Sequence, residues 1–276
     1  FFNDPDEDFG YMMDGYKNGI ITDERLEEAL TRILGTKAAL GLHKKAKTEI
    51  LPEKEVAMAK IGLEENKAIA KEVSDKAITL VKNTQDVLPI APEKTKRVLL
   101  VEAKGFDGGF GKFIEIMGGA KKKPIEIVKE LLEAKGFDVE IWESPIDKIM
   151  KLPKEEMAQA LGNVYAGKRP IAELTSKYDL IINIANVNAS VDQRLQWPPS
   201  KGTPDIPFYV NEIPTIFISV KCPFHLADVP QVKTYINTYD DNQQTLEALV
   251  EKLVGNTEFK GISPVDAFCG FGDTRF

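Results

Sequence analysis

The chain has 276 residues, a length that suits about two domains, with 43% hydrophobic and 29% charged residues as in ordinary globular proteins. Its 36 basic residues stand against 43 acidic ones for a net charge of −7, and Lys121-Lys122-Lys123 is the one dense basic run, so no nucleic-acid partner is expected. No apolar stretch approaches the ~18 residues that span a bilayer, which excludes a membrane-spanning helix.

The chain opens Phe1-Phe2-Asn3-Asp4-Pro5-Asp6-Glu7-Asp8. That reads as a loop entering a helix, with acids placed to cap it and to meet the helix dipole. It does not read as the start of a natural protein, so the expectation is the carboxyl-terminal part of something longer. A short helix is predicted over 8–18. A second runs over 22–40, with Thr22 as N-cap, Leu26, Ala29, Leu30, Ile33 and Leu34 on one face, and Gly41 as a left-handed stop. Gly35 inside that pattern suggests a closely packed neighbour. Two helices cannot bury such a stripe alone and must lie against something else. Residues 44–55 are polar and read as a linker.

From about residue 56 the pattern becomes α/β. A helix is predicted over 54–75, and strands over 77–82, 97–102, 137–142, 179–185, 213–220 and 232–239. The runs Arg97-Val98-Leu99-Leu100-Val101 and Leu180-Ile181-Ile182-Asn183-Ile184 suit strands covered on both faces, as in a parallel sheet. Between them come a helix starting at Pro124 and ending before Gly136, and a helical segment within 153–177. A last helix over 242–254 stops at Gly255. The fold class expected is therefore α/β, a three-layer, flavodoxin-like sandwich on a mostly parallel sheet of five or six strands.

Chemistry in such folds gathers at the carboxyl ends of the strands. The loop Gly105-Phe106-Asp107-Gly108-Gly109-Phe110-Gly111-Lys112 follows a strand there. Its spacing matches neither the P-loop nor the dinucleotide fingerprint, and no tight helix start follows. A structural loop is favoured over a phosphate cradle. The connection over 186–206 is unusually long and holds Asp192, Arg194 and Trp197. These three are candidates for a substrate cleft or a domain interface, since Arg and Trp together suit clamping and stacking a sugar. The alternative is that Trp197 packs on its own domain and Arg194 pairs with a nearby acid. Cys222, His225 and Asp228 fall within seven residues, which invites a nucleophile or metal reading. Pro223 makes a turn the preferred account. Acids at 4–8 and at Asp240-Asp241 read as helix caps. With two cysteines and two histidines in the whole chain, neither a disulfide framework nor a thiolate or histidine metal centre is expected, and no cofactor is implied. The free thiols fit a reducing, cytoplasmic compartment.

Several motifs carry a family resemblance. Arg25, Ala29, Arg32, Ile33, Leu34, Lys37, Leu40, Gly41 and Leu42 resemble the end of the barrel domain of glycoside hydrolase family 3. Ala77-Ile78-Thr79-Leu80-Val81-Lys82-Asn83 with Leu88-Pro89-Ile90 resembles the segment that opens that family's second domain. Pro223, Leu226, Pro230, Tyr235-Ile236 and Tyr239 resemble its β-N-acetylhexosaminidase branch, although Lys221-Cys222 stands where the family has Asn and Phe224 replaces Tyr. Gly255, Phe259, Gly261 and Ser263-Pro264-Val265 resemble the family's closing motif.

The resemblance implies a parent enzyme that removes β-linked sugars, N-acetylhexosaminides in particular, with retention of configuration. Its nucleophile and acid/base would sit on a (β/α)₈ barrel absent from this chain, so no catalytic residue is carried over. It implies residues 1–43 as terminal barrel helices, 44–55 as linker and 56–276 as the sandwich domain. Its partners would be that missing barrel and a carbohydrate. In the β-glucosidase branch an acid/base Glu comes from the second domain; residues 186–206 contain no Glu. The different-class alternatives are a stand-alone carbohydrate- or protein-binding α/β module and a flavodoxin-like nucleotide binder.

Overall fold

The computed structural model describes residues 4–105, 122–149, 151–166, 171–187, 194–197 and 203–276. It divides into two compact units, Phe1–Glu64 and Glu65–Phe276. The first holds helices α1 (Pro5–Lys17), α2 (Asp23–Ala39), α3 (Lys47–Ile50) and α4 (Lys54–Met58). Asp4 caps α1 by accepting from the Asp6 and Glu7 N–H groups. Thr22 caps α2 through Arg25 N–H, and Gly41 follows it at φ 67°. Among the described residues, nothing lies within 4 Å of where a Cβ on Gly35 would stand. None of the described residues in 4–64 is buried; Phe9, Met12, Ile20, Leu30, Ile33 and Leu34 are all exposed.

The single helix predicted over 54–75 is instead two, α4 and α5 (Glu64–Ala77). Gly62 lies between them at φ 70°, in the left-handed region that interrupts a helix. The stretch predicted as linker also carries a short helix at 47–50, and the compact units divide later, between Glu64 and Glu65.

The second unit continues from α5 with β1 (Thr79–Asn83), β2 (Arg97–Gly105), α6 (Pro124–Ala134), β3 (Asp138–Ile141), α7 (Pro145–Ile149), α8 (Lys154–Ala166) and α9 (Ile171–Lys177). Then come β4 (Leu180–Ala185), β5 (Leu195–Gln196), β6 (Thr215–Ser219), β7 (Thr234–Asn237) and α10 (Gln243–Leu253). The main path of the sheet is β1-β7-β6-β4-β2-β3, with β5 paired to β2. Neighbours from β7 to β3 are parallel, whereas β1 joins β7 antiparallel. Among the described residues the sheet thus has six strands on its main path, mostly parallel as expected, with β1 antiparallel at one edge and β5 as a seventh strand off the path.

Every residue of β4 and β6 is buried. The period of two along each strand sends alternate side chains to opposite faces. Leu180, Ile182 and Ile184 join Ile216, Ile218 and Ile236 against α6 (Ile125, Val128, Leu132) and α10 (Leu246, Leu249, Leu253). On the other face Leu99, Val101 and Ile181 meet Leu174, Tyr178, Tyr209 and Ile213. Each fully buried aliphatic side chain contributes about 1.5–3 kcal/mol. The result is the three-layer α/β sandwich expected from the sequence.

Two cationic side chains tie the layers. Lys252 has no exposed side-chain surface and donates to Asp75 (2.7 Å) and to Glu258 O (2.7 Å), joining α10 to α5. Arg97 pairs with Asp179 at 2.6 Å, joining the amino ends of β2 and β4. Hydrogen bonding from Lys252 holds the Asp75 carboxyl below its ordinary pKa, and Arg97 does the same for Asp179. A folded-state pKa below the unfolded value of about 3.9 stabilises the fold above that pH, and the contribution is lost as pH falls through the folded pKa. Asp75→Asn and Asp179→Asn are therefore expected to flatten the acid limb of a stability-versus-pH curve below about pH 4; denaturant melts across that range provide the check.

The segment after α10 lies against the start of β1. Gly261 donates its N–H to Ile78 O at 3.3 Å. A Cβ there would stand 2.4 Å from Ala77 O and 2.5 Å from Ile78 O, both backbone atoms with little freedom to retreat. Gly261→Ala is expected to destabilise the fold by about 3 kcal/mol through overpacking, measured by urea unfolding.

Candidate functional site at the carboxyl edge of the sheet

Because β2, β4 and β6 run parallel, their carboxyl ends share one edge. The chain order along the sheet reverses beside β2, which makes the β2/β4 junction the switch point where doubly wound folds open a crevice. Here that place is filled. The connection after β4 returns as β5, which pairs antiparallel with the end of β2, Lys104 opposite Gln196 and Gly105 opposite Leu195. Val187 packs so tightly that a Cβ on Gly105 would lie 2.6 Å from its Cγ1. Gly105 thus serves strand packing; residues 106–112 of the glycine-rich loop lie outside the described residues.

Of the three residues singled out in the long connection, Asp192 also lies outside the described residues. Arg194 directs Nε and one terminal nitrogen onto the Asp228 carboxylate. Leu195 N–H donates to the other oxygen of that carboxylate at 3.2 Å. The Asp228 side chain is 7% exposed and that of Arg194 64%. Trp197 is half-buried and packs on a cluster that includes Ala103, Ala185, Val187, Leu195, Phe217 and Leu226. Asp228 was not linked to the long connection by sequence reasoning. The two lie on different loops, and only the parallel order of β4 and β6 brings them together.

The Cys222–His225–Asp228 stretch forms a turn containing a 3₁₀ segment, His225–Ala227. Ser219 Oγ donates to Cys222 O (2.5 Å) and lies 2.8 Å from His225 Nδ1. Asp228 gives its carboxylate to Arg194 and its N–H to His225 O (2.9 Å). Asp240 and Asp241 do not cap α10; Asn242 does, accepting from Thr245 N–H at 2.8 Å.

Among the described residues six carboxyls have displaced pKa values: Glu72, Asp75, Glu140, Glu143, Asp179 and Glu251. All move downward, each chiefly through a hydrogen bond from a Lys or Arg. That is opposite to what a general acid needs. At the amino edge, a hollow of about 630 Å³ is bordered by Arg97, Asp138, Glu140, Glu173, Lys177 and Tyr178. Within it Lys177 pairs with Glu140 at 2.8 Å, and Arg97 pairs with the adjoining Asp179. Among the described residues no cluster of His, Cys, Asp and Glu could hold a metal ion, and no helix is long and apolar enough to cross a membrane.

These features define an α/β sandwich domain in which, among the described residues, β5 pairs with the end of β2 at the carboxyl edge. No family model matches the chain. It is 37% identical over 279 residues to a β-N-acetylglucosaminidase/β-glucosidase from Cellulomonas fimi, covering 100% of this chain and 44% of that protein. The solved structure of the β-glucoside phosphorylase BglX is likewise 37% identical, with a TM-score of 0.69 over 100% of this chain and 44% of that one. The same phosphorylase bound to 2FGlc gives 36% identity and a TM-score of 0.68 over 98% of this chain and 43% of that one. Over its whole length the chain is similar to the C-terminal region of family 3 β-glycosidases, and it spans less than half the length of these relatives.

The contact between Gly105 and Val187 is open to a direct check. Gly105→Ala is expected to cost about 1–3 kcal/mol, and Val187→Ala in the same chain to recover part of that loss, because it removes the opposing methyls. A double-mutant cycle by chemical denaturation reads the coupling.

Proposed function

We propose that the chain is the sandwich portion of a retaining β-glycosidase acting on β-linked sugars, N-acetylhexosaminides in particular, with its catalytic groups on a preceding (β/α)₈ barrel. The observation that carries this is the 37% identity, along the whole chain, to a protein named as a β-N-acetylglucosaminidase/β-glucosidase. The chemistry points the same way. Retaining hydrolysis typically needs a carboxylate nucleophile and a separate acid/base carboxyl about 5–5.5 Å apart. The displaced carboxyls among the described residues are all lowered by paired cations.

In this reading residues 1–43 are the last barrel helices, 44–55 connect, and 56–276 form the sandwich. The exposed stripe of Phe9, Met12, Leu30, Ile33 and Leu34 supports a covering domain, since an apolar helix face needs a partner. The stretch 194–197 would border the cleft or the barrel, with Trp197 as the contact.

A second reading is favoured by one observation: the solved structure at 37% identity is a β-glucoside phosphorylase. Inorganic phosphate would then replace water as acceptor of the glycosyl group. The purified chain is expected to show no turnover of a chromogenic β-N-acetylglucosaminide, whereas a longer protein carrying the barrel turns it over. Assays with and without inorganic phosphate, analysed for sugar 1-phosphate, decide the acceptor. Turnover by the chain alone at the longer protein's rate would overturn the proposal. Sugar binding without turnover by the longer protein would favour a stand-alone binding module.

A further inference from the structure

We propose that Asp228 is a positioning residue: it holds residues 194–197 on the end of β2 and so sets the rim that Trp197 offers to a sugar. Only the last step rests on the glycosidase reading above. Arg194 has the chemistry of a substrate clamp, yet two of its nitrogens are engaged on Asp228. The same carboxylate also takes the Leu195 N–H at 3.2 Å. One acid from the turn after β6 thus holds both the side chain that enters β5 and the first backbone donor within it.

β5 needs such a tie. It is two residues long and pairs at two positions only, and a ladder that short is marginal without further support. The anchor is firmer than what it holds. Asp228 is 7% exposed, its own N–H is bonded to His225 O at 2.9 Å, and the neighbouring Leu226 and Val229 are fully buried. Trp197 follows β5 directly and packs on the cluster that includes Leu195 and Val187. The placement of that ring is therefore coupled to the Asp228 contacts.

The test begins with amide exchange on the chain itself. Asp228→Ala is expected to speed exchange at Leu195 and Gln196 by about tenfold or more, with β7 and α10 unchanged. Asp228→Asn keeps an oxygen for Leu195 N–H and is expected to fall between Ala and wild type. In the longer barrel-bearing protein, Asp228→Ala is expected to raise KM about fivefold with kcat within about twofold, and Asn to recover part of it. Unchanged exchange at Leu195 overturns the proposal. So does exchange that rises equally in β7 and α10, which would mean general destabilisation. Faster exchange at Leu195 with unchanged KM overturns the positioning role. If the wild-type longer protein turns over no β-glycoside, the glycosidase reading falls, and the exchange data still decide whether Asp228 is the anchor.

Discussion

The structure depends on burial of the central strands on both faces. β4 and β6 expose no residue, so the sheet must be covered above and below. Parallel neighbours cannot be joined by hairpins, so each strand must be followed by a crossover that packs on one face. α6 and α10 cover one side; α9 and the segments around Tyr209 and Leu226 cover the other. All the connections that leave β2, β4 and β6 then emerge at a single edge. The long connection after β4 and the turn after β6 meet there for that reason.

Such an edge is where α/β folds usually bind small molecules, and this domain treats it differently. β5 lies over the end of β2, Val187 fills the space beside Gly105, and Arg194 is committed to Asp228. A nucleotide binder needs an open crevice with free backbone donors. The low pKa values of the displaced carboxyls agree, since cation-paired acids serve the fold's charge balance rather than proton transfer.

The amino-terminal unit poses the complementary case. Its caps at Asp4 and Thr22 and its stop at Gly41 are well formed, yet its helices bury nothing. Local signals are enough to define where a helix begins and ends, because they act through neighbouring backbone groups. They do not supply a core. Helices with sound ends and a bare apolar stripe are consistent with a chain that spans 44% of its relatives' length.

The sequence by itself determined the class of fold. Apolar runs at 97–101 and 180–184 have no polar alternation and demand cover on both faces. Pro124, Gly136, Asn242 and Gly255 mark helix limits through their own backbone chemistry. It also carried the resemblance to family 3 β-glycosidases, because the motifs stand in order along the chain. The break between α4 and α5 was not legible, since a glycine within a helical pattern reads equally as a tolerated interruption or a left-handed stop. The antiparallel β1 was missed as well, because strand direction depends on pairing rather than on composition. Only the tertiary structure decided what Arg194 does. A free guanidinium and one bound to a buried acid have the same local sequence, and the partner lies 34 residues away on the next loop. Contacts of that range follow from strand order, which no short stretch of sequence carries.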